Sequence, residues 1–274
     1  MPRLSVTIIT RDEAAHIARA IASASWADEV LVVDSGSRDD TVAIARQAGA
    51  RVLSRGWSGY VDQKNFAAAS AAHEWIFSLD ADERIPSDLA DEIRAILAAD
   101  PPVHGYRGPR VSFHLGRWIR TTDFYPDYQT RLYDRRHARW RGRHVHESVV
   151  VEGPAGRLHH DLQHYSYADL ADQLERINHY STLAAKQMYE DGIRSGPLKI
   201  AVHPPAAFLR NYILRRGCLD GTVGLTISLM QAWSVMLKFA KLWELGRLAH
   251  SHKASSPLPA PNSQGDREAS DPAG

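Results

Sequence analysis

Along the first hundred residues, apolar and polar positions switch between two periods. Short β-branched and aliphatic runs at 4–9, 29–33, 51–53 and 75–79 read as buried strands. Between them lie segments with helical spacing. In 13–24, Ile17 and Ile21 stand four apart; 62–72 is rich in alanine; in 87–98, Leu89, Ile93, Ile96 and Leu97 share one face. Asp39-Asp40 sit where an N-cap belongs, ahead of Val42, Ile44 and Ala45, and Ser87 is placed to cap the helix that follows it. Strand–helix alternation of this kind predicts an α/β fold, a mainly parallel sheet with helices on both faces. Such sheets bind ligands at the carboxyl ends of their strands.

The pattern changes after Pro101-Pro102. Residues 104–151 are rich in Arg, His and aromatics, with period-2 fragments such as Val149-Val150-Val151, and are expected to form antiparallel or edge strands with long loops. Helical spacing returns from Tyr167 to about Tyr189, and Gly196-Pro197 and Pro204-Pro205 are expected to interrupt it. A last apolar segment covers 222–248. The tail 251–274 is Ser-, Pro- and Ala-rich without apolar period, which predicts disorder. The expected division is a catalytic domain at 1–165, a helical region at 166–250 and the tail.

Composition narrows this little. Apolar residues make up 44% and charged residues 24%, ordinary for a globular chain, and the formal net charge of +1 points to no nucleic acid. The single cysteine, Cys218, excludes an intramolecular disulfide and a cysteine zinc site. The start, Met1-Pro2-Arg3-Leu4-Ser5, has no signal-peptide pattern, so the expected location is the cytoplasm. Charge matters locally: Arg135, Arg136, Arg139, Arg141 and Arg143 fit either an anionic acceptor or a solvated basic loop.

Three predicted strands end in groups suited to chemistry. Trp75-Ile76-Phe77-Ser78-Leu79 delivers Asp80 and Asp82. Hard cations such as Mg²⁺ take carboxylate oxygens together with substrate phosphates, so this Asp-x-Asp reads either as a cation site or as an acidic turn before a helix. Val30-Leu31-Val32-Val33 ends in Asp34-Ser35-Gly36-Ser37. Asp34 can accept from a base or ribose hydroxyl, and Gly36 allows close backbone approach. Ile8-Ile9 opens into Thr10-Arg11-Asp12-Glu13 at a helix start. No G-x-G-x-x-G and no P-loop is present.

These residues resemble the family 2 glycosyltransferases. The likeness runs from Leu4–Glu13 through Trp26-Ala27-Asp28-Glu29-Val30 and Asp34-Ser35-Gly36-Ser37-Arg38-Asp39-Asp40-Thr41 to Leu79-Asp80-Ala81-Asp82-Glu83. It covers roughly residues 4–250 and is nearest to the bacterial branch that builds the lipopolysaccharide core. The resemblance implies a GT-A type (Rossmann-like) domain followed by a C-terminal helical region. It also implies a nucleotide-sugar donor, a divalent metal (Mg²⁺ or Mn²⁺) at Asp80 and Asp82, and inversion at the anomeric carbon. By the same likeness Thr10, Asp12 or Glu13, and Asp34 line the nucleoside pocket, and Lys64 in Gln63-Lys64-Asn65 approaches the donor phosphates.

An inverting transfer needs one general base. Val145-His146-Glu147 resembles a family segment that implies Glu147 as that base, with Asp127 as runner-up. For His146, orienting the base, contacting phosphate and completing the metal shell all stay open. The expected reaction moves a hexose from a UDP-type donor to a cell-envelope glycolipid such as the lipopolysaccharide core. Polyprenyl phosphate is an alternative acceptor, and a non-catalytic nucleotide-sugar-binding protein is the non-enzymatic rival. A zinc hydrolase is disfavoured because no H-E-x-x-H helix exists, and a nucleotidyltransferase because residues 8–16 hold one Arg and no Gly. For 222–248, packing inside a second domain and peripheral contact with the inner membrane both remain open.

Overall fold

A computed structural model describes residues 2–142 and 147–254. The first half alternates as expected: β1 (Leu4–Thr10), α1 (Ile17–Ser23), β2 (Glu29–Asp34), α2 (Thr41–Gln47), β3 (Arg51–Ser54), α3 (Tyr60–Ser70), β4 (Trp75–Asp80), a two-residue β5 (Glu83–Arg84) and α4 (Ser87–Ala98). Seven further strands follow: β6 (Gly105–His114), β7 (Arg117–Ile119), β8 (Asp127–Asp134), β9 (Ala138–Arg141), β10 (Ser148–Val151), β11 (Gly156–Arg157) and β12 (Leu162–His164). Three helices close the chain: α5 (Leu170–Glu190), α6 (Pro197–Leu209) and α7 (Gly221–Ala254).

The main sheet has the order β3-β2-β1-β4-β8-β6-β12-β5. β1 pairs in parallel with β2 and β4, and β2 with β3. The antiparallel strands β8 and β6 sit inside the sheet, between β4 and β12. Side chains alternate across the pleat. Val6, Ile8, Val32, Phe77 and Leu79 pack with Ile17, Ile21, Ala45, Leu89 and Ile93 of α1, α2 and α4. Leu31, Val33 and Ile76 face the other way, onto Ala67, Ala68 and Ala71 of α3 and Trp140 and Val149 of the β9–β10 hairpin. Alanine on α3 lets that helix lie close to the sheet.

Two expectations about breaks and caps change. α5 ends at Glu190, Gly196-Pro197 open α6 rather than interrupt a helix, and Pro204-Pro205 lie inside α6. The prolines forgo backbone hydrogen bonds. Packing on α7 offsets the loss: the His203 ring stacks on Phe239, centroids 4.5 Å apart. Asp40 takes the N-cap position of α2 without a side-chain cap bond, while Asp39 accepts from the Thr41 backbone and hydroxyl. The N-cap of α4 is Pro86, with Ser87 as its first residue. α7 continues to Ala254, beyond the predicted start of the tail; residues 255–274 lie outside the described residues.

Candidate active site

Register fixes the site. Thr10 pairs with Asp34 and Ile9 with Asp80, so the carboxyl ends of β1, β2 and β4 lie side by side. A cavity of about 530 Å³ opens there, lined by Thr10, Glu13, Lys64, Asp80, Asp82 and Glu147 among the residues expected from sequence. It is also lined by Arg11, Trp57, Tyr60, His164, Arg176 and His179.

Asp80 is held by cations of the chain itself. Lys64 Nζ lies 3.0 Å from its Oδ1 and Arg131 Nη2 2.6 Å from its Oδ2. Burial would raise the Asp80 pKa, but Arg131, Lys64 and Arg110 hold it far below the ordinary value. Buried Glu83 accepts from Arg131 and Arg110 and from the Asp80 backbone N–H. Lys64 is desolvated over the Trp140 ring, 4.2 Å from its centroid. Asn65 fixes that ring's strand by exchanging two 3.0 Å hydrogen bonds with the Trp140 backbone.

Asp82 has a different setting. Its Oδ2 lies 3.3 Å from His164 Nε2. The short β5–β12 pairing brings the two together, with His164 opposite Glu83 and the Tyr165 N–H donating to the Asp82 carbonyl. The other ring nitrogen of His164 is 2.9 Å from Ser166 Oγ, which orients the imidazole as metal-binding histidines are commonly oriented. Burial would raise the Asp82 pKa, and His164 brings it below the ordinary value. Glu13 goes the other way. Burial, then the Asp82, Asp39 and Asp80 carboxylates, push its pKa from 4.5 to about 7 against the pull of Arg176. Asp82 and His164 both face the cavity and are the residues there that could hold a cation.

Two cavity atoms are buried without a hydrogen-bond partner among the described residues: Thr10 Oγ1 and Glu147 Oε2. Buried polar atoms are normally paired, so these two are free to bond a molecule that enters the cavity. Trp57 and Tyr60 meet edge to face at 4.7 Å and stay about half exposed, giving the cavity an aromatic rim.

Asp12, Asp34, Gly36 and Asp127 do not line the cavity. Asp34 is spent on its own turn, accepting from the Gly36 and Ser37 backbone and the Ser37 hydroxyl. Asp12, at a left-handed φ of 55°, accepts from the Arg38 N–H and ties the β1 and β2 loops together. Gly36 has φ +85° and open space where a Cβ would point, so conformation rather than crowding asks for glycine. Asp127 pairs with Arg110 at 2.6 Å and accepts from Gln129. Burial would raise its pKa, yet Arg110 and Gln129 keep it low, which suits an ion pair better than a base. His146 lies outside the described residues.

Of the arginine cluster, Arg135 caps the α3 carbonyls of Ala68 and Ala71 and pairs with Glu74, and Arg136 forks onto Asp134. His104, Asp134 and His137 also cluster, but the two rings stack at 3.9 Å and Asp134 is already held by Arg136, a poor arrangement for an ion.

The cavity residues that the sequence reading does not assign to the donor site are Trp57, Tyr60, His164, Arg176 and His179. The histidine and the α5 pair come from chain segments far from the strand ends. Their one local signal is the i, i+3 spacing of Arg176 and His179 on a helix.

Comparison with known proteins supplies a family. The profile of Glycosyl transferase family 2 matches residues 5–151. An uncharacterized glycosyltransferase of Rickettsia felis is 35% identical over 257 residues, 89% of this chain and 90% of that protein. The lipopolysaccharide core biosynthesis glycosyltransferase LpsC of Rhizobium meliloti is 32% identical over 248 residues, 88% of this chain and 92% of LpsC. A more distant likeness is to glucosyl-3-phosphoglycerate synthase from Mycobacterium tuberculosis, crystallised with Mn²⁺, uridine diphosphate and glucosyl-3-phosphoglycerate. It is 18% identical, with a TM-score of 0.45, over 71% of this chain and 82% of that one.

Proposed function

The chain belongs to glycosyl transferase family 2 and has the α/β sheet of the GT-A type, and from that premise we propose that it transfers a hexose from a UDP-sugar to a cell-envelope glycolipid with inversion. The observation that carries the reading is one cavity lined both by the Asp82–His164 pair and by the unpartnered carboxylate oxygen of Glu147. Cation-side and base-side chemistry therefore meet in a single space.

Thr10 Oγ1, unpaired and buried, takes the nucleoside. The Trp57–Tyr60 edge offers ring surface to the base or sugar. Asp34 and Asp12 act as scaffold, holding the two loops on which the nucleoside rests. Asp82 and His164 would hold a divalent cation, Mg²⁺ or Mn²⁺, which when bound would offset charge on the leaving diphosphate. Asp80 serves through Lys64 and Arg131, fixing the floor of the cavity rather than ligating the ion. Arg176, whose Nε is held by Asp172 at 2.9 Å, reaches the cavity from α5 and supplies positive charge toward the same diphosphate.

Glu147 takes the proton from the acceptor hydroxyl as that oxygen forms its bond to the anomeric carbon. The bond from that carbon to the diphosphate oxygen breaks on the opposite face, and the proton on Glu147 passes to solvent. The acceptor assignment rests on the likeness to LpsC, and with it a position at the cytoplasmic side of the inner membrane, where such an acceptor and a soluble donor meet.

A thermal-shift panel of nucleotide-sugars with and without Mn²⁺ tests the reading. One UDP-sugar should stabilise the protein only when the ion is present. Stabilisation by no nucleotide-sugar under either condition would overturn it.

A further inference from the structure

The outer face of α6 and the turn after it carry large apolar side chains that are half to three-quarters exposed. Toward α7, α6 turns Ile200, His203 and Ala207, which pack near Phe239 and Leu242. On the opposite side Leu198, Val202, Leu209 and Ile213 recur at helical spacing, 76%, 55%, 51% and 57% exposed. Leu214 and Leu219, in the turns that lead to α7, are 76% and 73% exposed. A contiguous stripe of this kind is unusual on a free surface and marks an interaction face.

Charge selects the occupant. Between Asp191 and Glu244 the only acidic residue is Asp220, which is already paired with Arg117 and Thr121. The same stretch carries Arg194, Lys199, Arg210, Arg215, Arg216 and Lys238, besides Lys241, which α5 holds. Arg210 and Arg215 share Asp123, while Arg216 has no acidic partner among the described residues. A second copy of this face would bring like charges together. An anionic bilayer accepts both features: apolar side chains enter the acyl boundary and the cations meet phosphate headgroups.

We propose that the outer face of α6 and the turns after it lie in the interface of an anionic membrane, with the rest of the chain on one side. The stretch Gly217–Ala249 is long and apolar enough to cross a bilayer, with mean hydropathy 1.3. Only 22% of that apolar window is buried, and the buried part packs on α5 and α6. Lys241 Nζ bonds to the Asn178 carbonyl and to the Ser181 and Thr182 hydroxyls of α5, and Phe239 and Leu242 are buried. That same α5 carries Arg176 and His179 into the cavity, so α7 packs on both the membrane-facing α6 and the helix that lines the site. The proposal rests on the lipid-linked acceptor for its purpose, but binding to a bilayer requires neither donor nor acceptor.

The test is co-sedimentation of the full chain with vesicles of phosphatidylcholine, or of an even mixture of phosphatidylcholine and phosphatidylglycerol. The protein should sediment with the mixed vesicles, be released by alkaline carbonate, and bind less as salt rises. Leu209→Glu with Ile213→Glu should lower the bound fraction on the order of tenfold while keeping helical content and the donor-induced thermal shift. Arg216→Glu should weaken binding to the mixed vesicles alone. Equal binding by the double variant, retention after carbonate, or no binding together with a dimer that the double variant abolishes would each overturn it. Loss of the donor-induced shift in the unaltered protein, with vesicle binding intact, would sink the transferase reading and leave this one standing.

Discussion

Lys64 Nζ lies 3.0 Å from Asp80 Oδ1, joining the start of α3 to the end of β4 beneath the cavity. The lysine is buried, and Trp140 covers it. Its removal leaves Asp80 with Arg131 alone. Lys64→Met should therefore cost about 1–3 kcal/mol of stability, the usual range for stranding a charged hydrogen-bond partner. Paired with Asp80→Asn, the loss should be smaller than the sum of the two single losses, because both remove one interaction. Denaturant unfolding of the four proteins measures this.

Asp82→Asn keeps the shape of the β5–β12 turn and removes the charge that faces His164. Donor-induced stabilisation in Mn²⁺ should disappear, and transfer should fall by roughly two orders of magnitude or more. His164→Ala should act in the same direction. A thermal shift as large as that of the unaltered protein would reject the assignment.

Glu147→Gln replaces a buried, unpartnered carboxylate oxygen with a group that cannot take a proton. Donor binding should persist while kcat falls about 10²–10⁴-fold, the range for loss of a general base. Asp127→Asn, by contrast, breaks an ion pair with Arg110 and should lower stability more than it lowers kcat.

Glu13 gives a pH signature to the metal-free protein. Its folded pKa is raised to about 7 from 4.5, so between those values the folded state holds a proton that the unfolded state has lost. Stability from this group is full below 4.5 and is lost as pH rises toward about 7. Glu13→Gln should flatten that decline and make the protein more stable on the alkaline side. Melting temperatures across that pH window, with a chelator present, check the sign.

Arg176→Ala should raise the KM for the donor more than it lowers the stability of α5. Among the described residues the arginine's one ion pair is with Asp172 on its own helix, and exposed pairs of this spacing contribute about 0.3–0.5 kcal/mol. Initial rates at varied donor concentration separate the two effects.

The strand–helix alternation, the two faces of the sheet and the three strand ends were all legible from residue order. Each depends on neighbours in sequence: a period of two puts Val32 and Leu31 on opposite faces, and a short apolar run ends where Thr10, Asp34 and Asp80 must emerge. What each carboxylate does was not legible, because it depends on partners distant in the chain. Arg131 and Lys64 occupy Asp80; Ser37 and its own turn occupy Asp34; Arg110 occupies Asp127. Only the β5–β12 pairing brings His164 to Asp82, and only the packing of α5 over the strand ends brings Arg176 and His179 to the cavity. Local periodicity decides which groups stand at the carboxyl edge, whereas long-range pairing decides which of them stay free for a ligand, because a charge already met by a buried partner has little left to offer another.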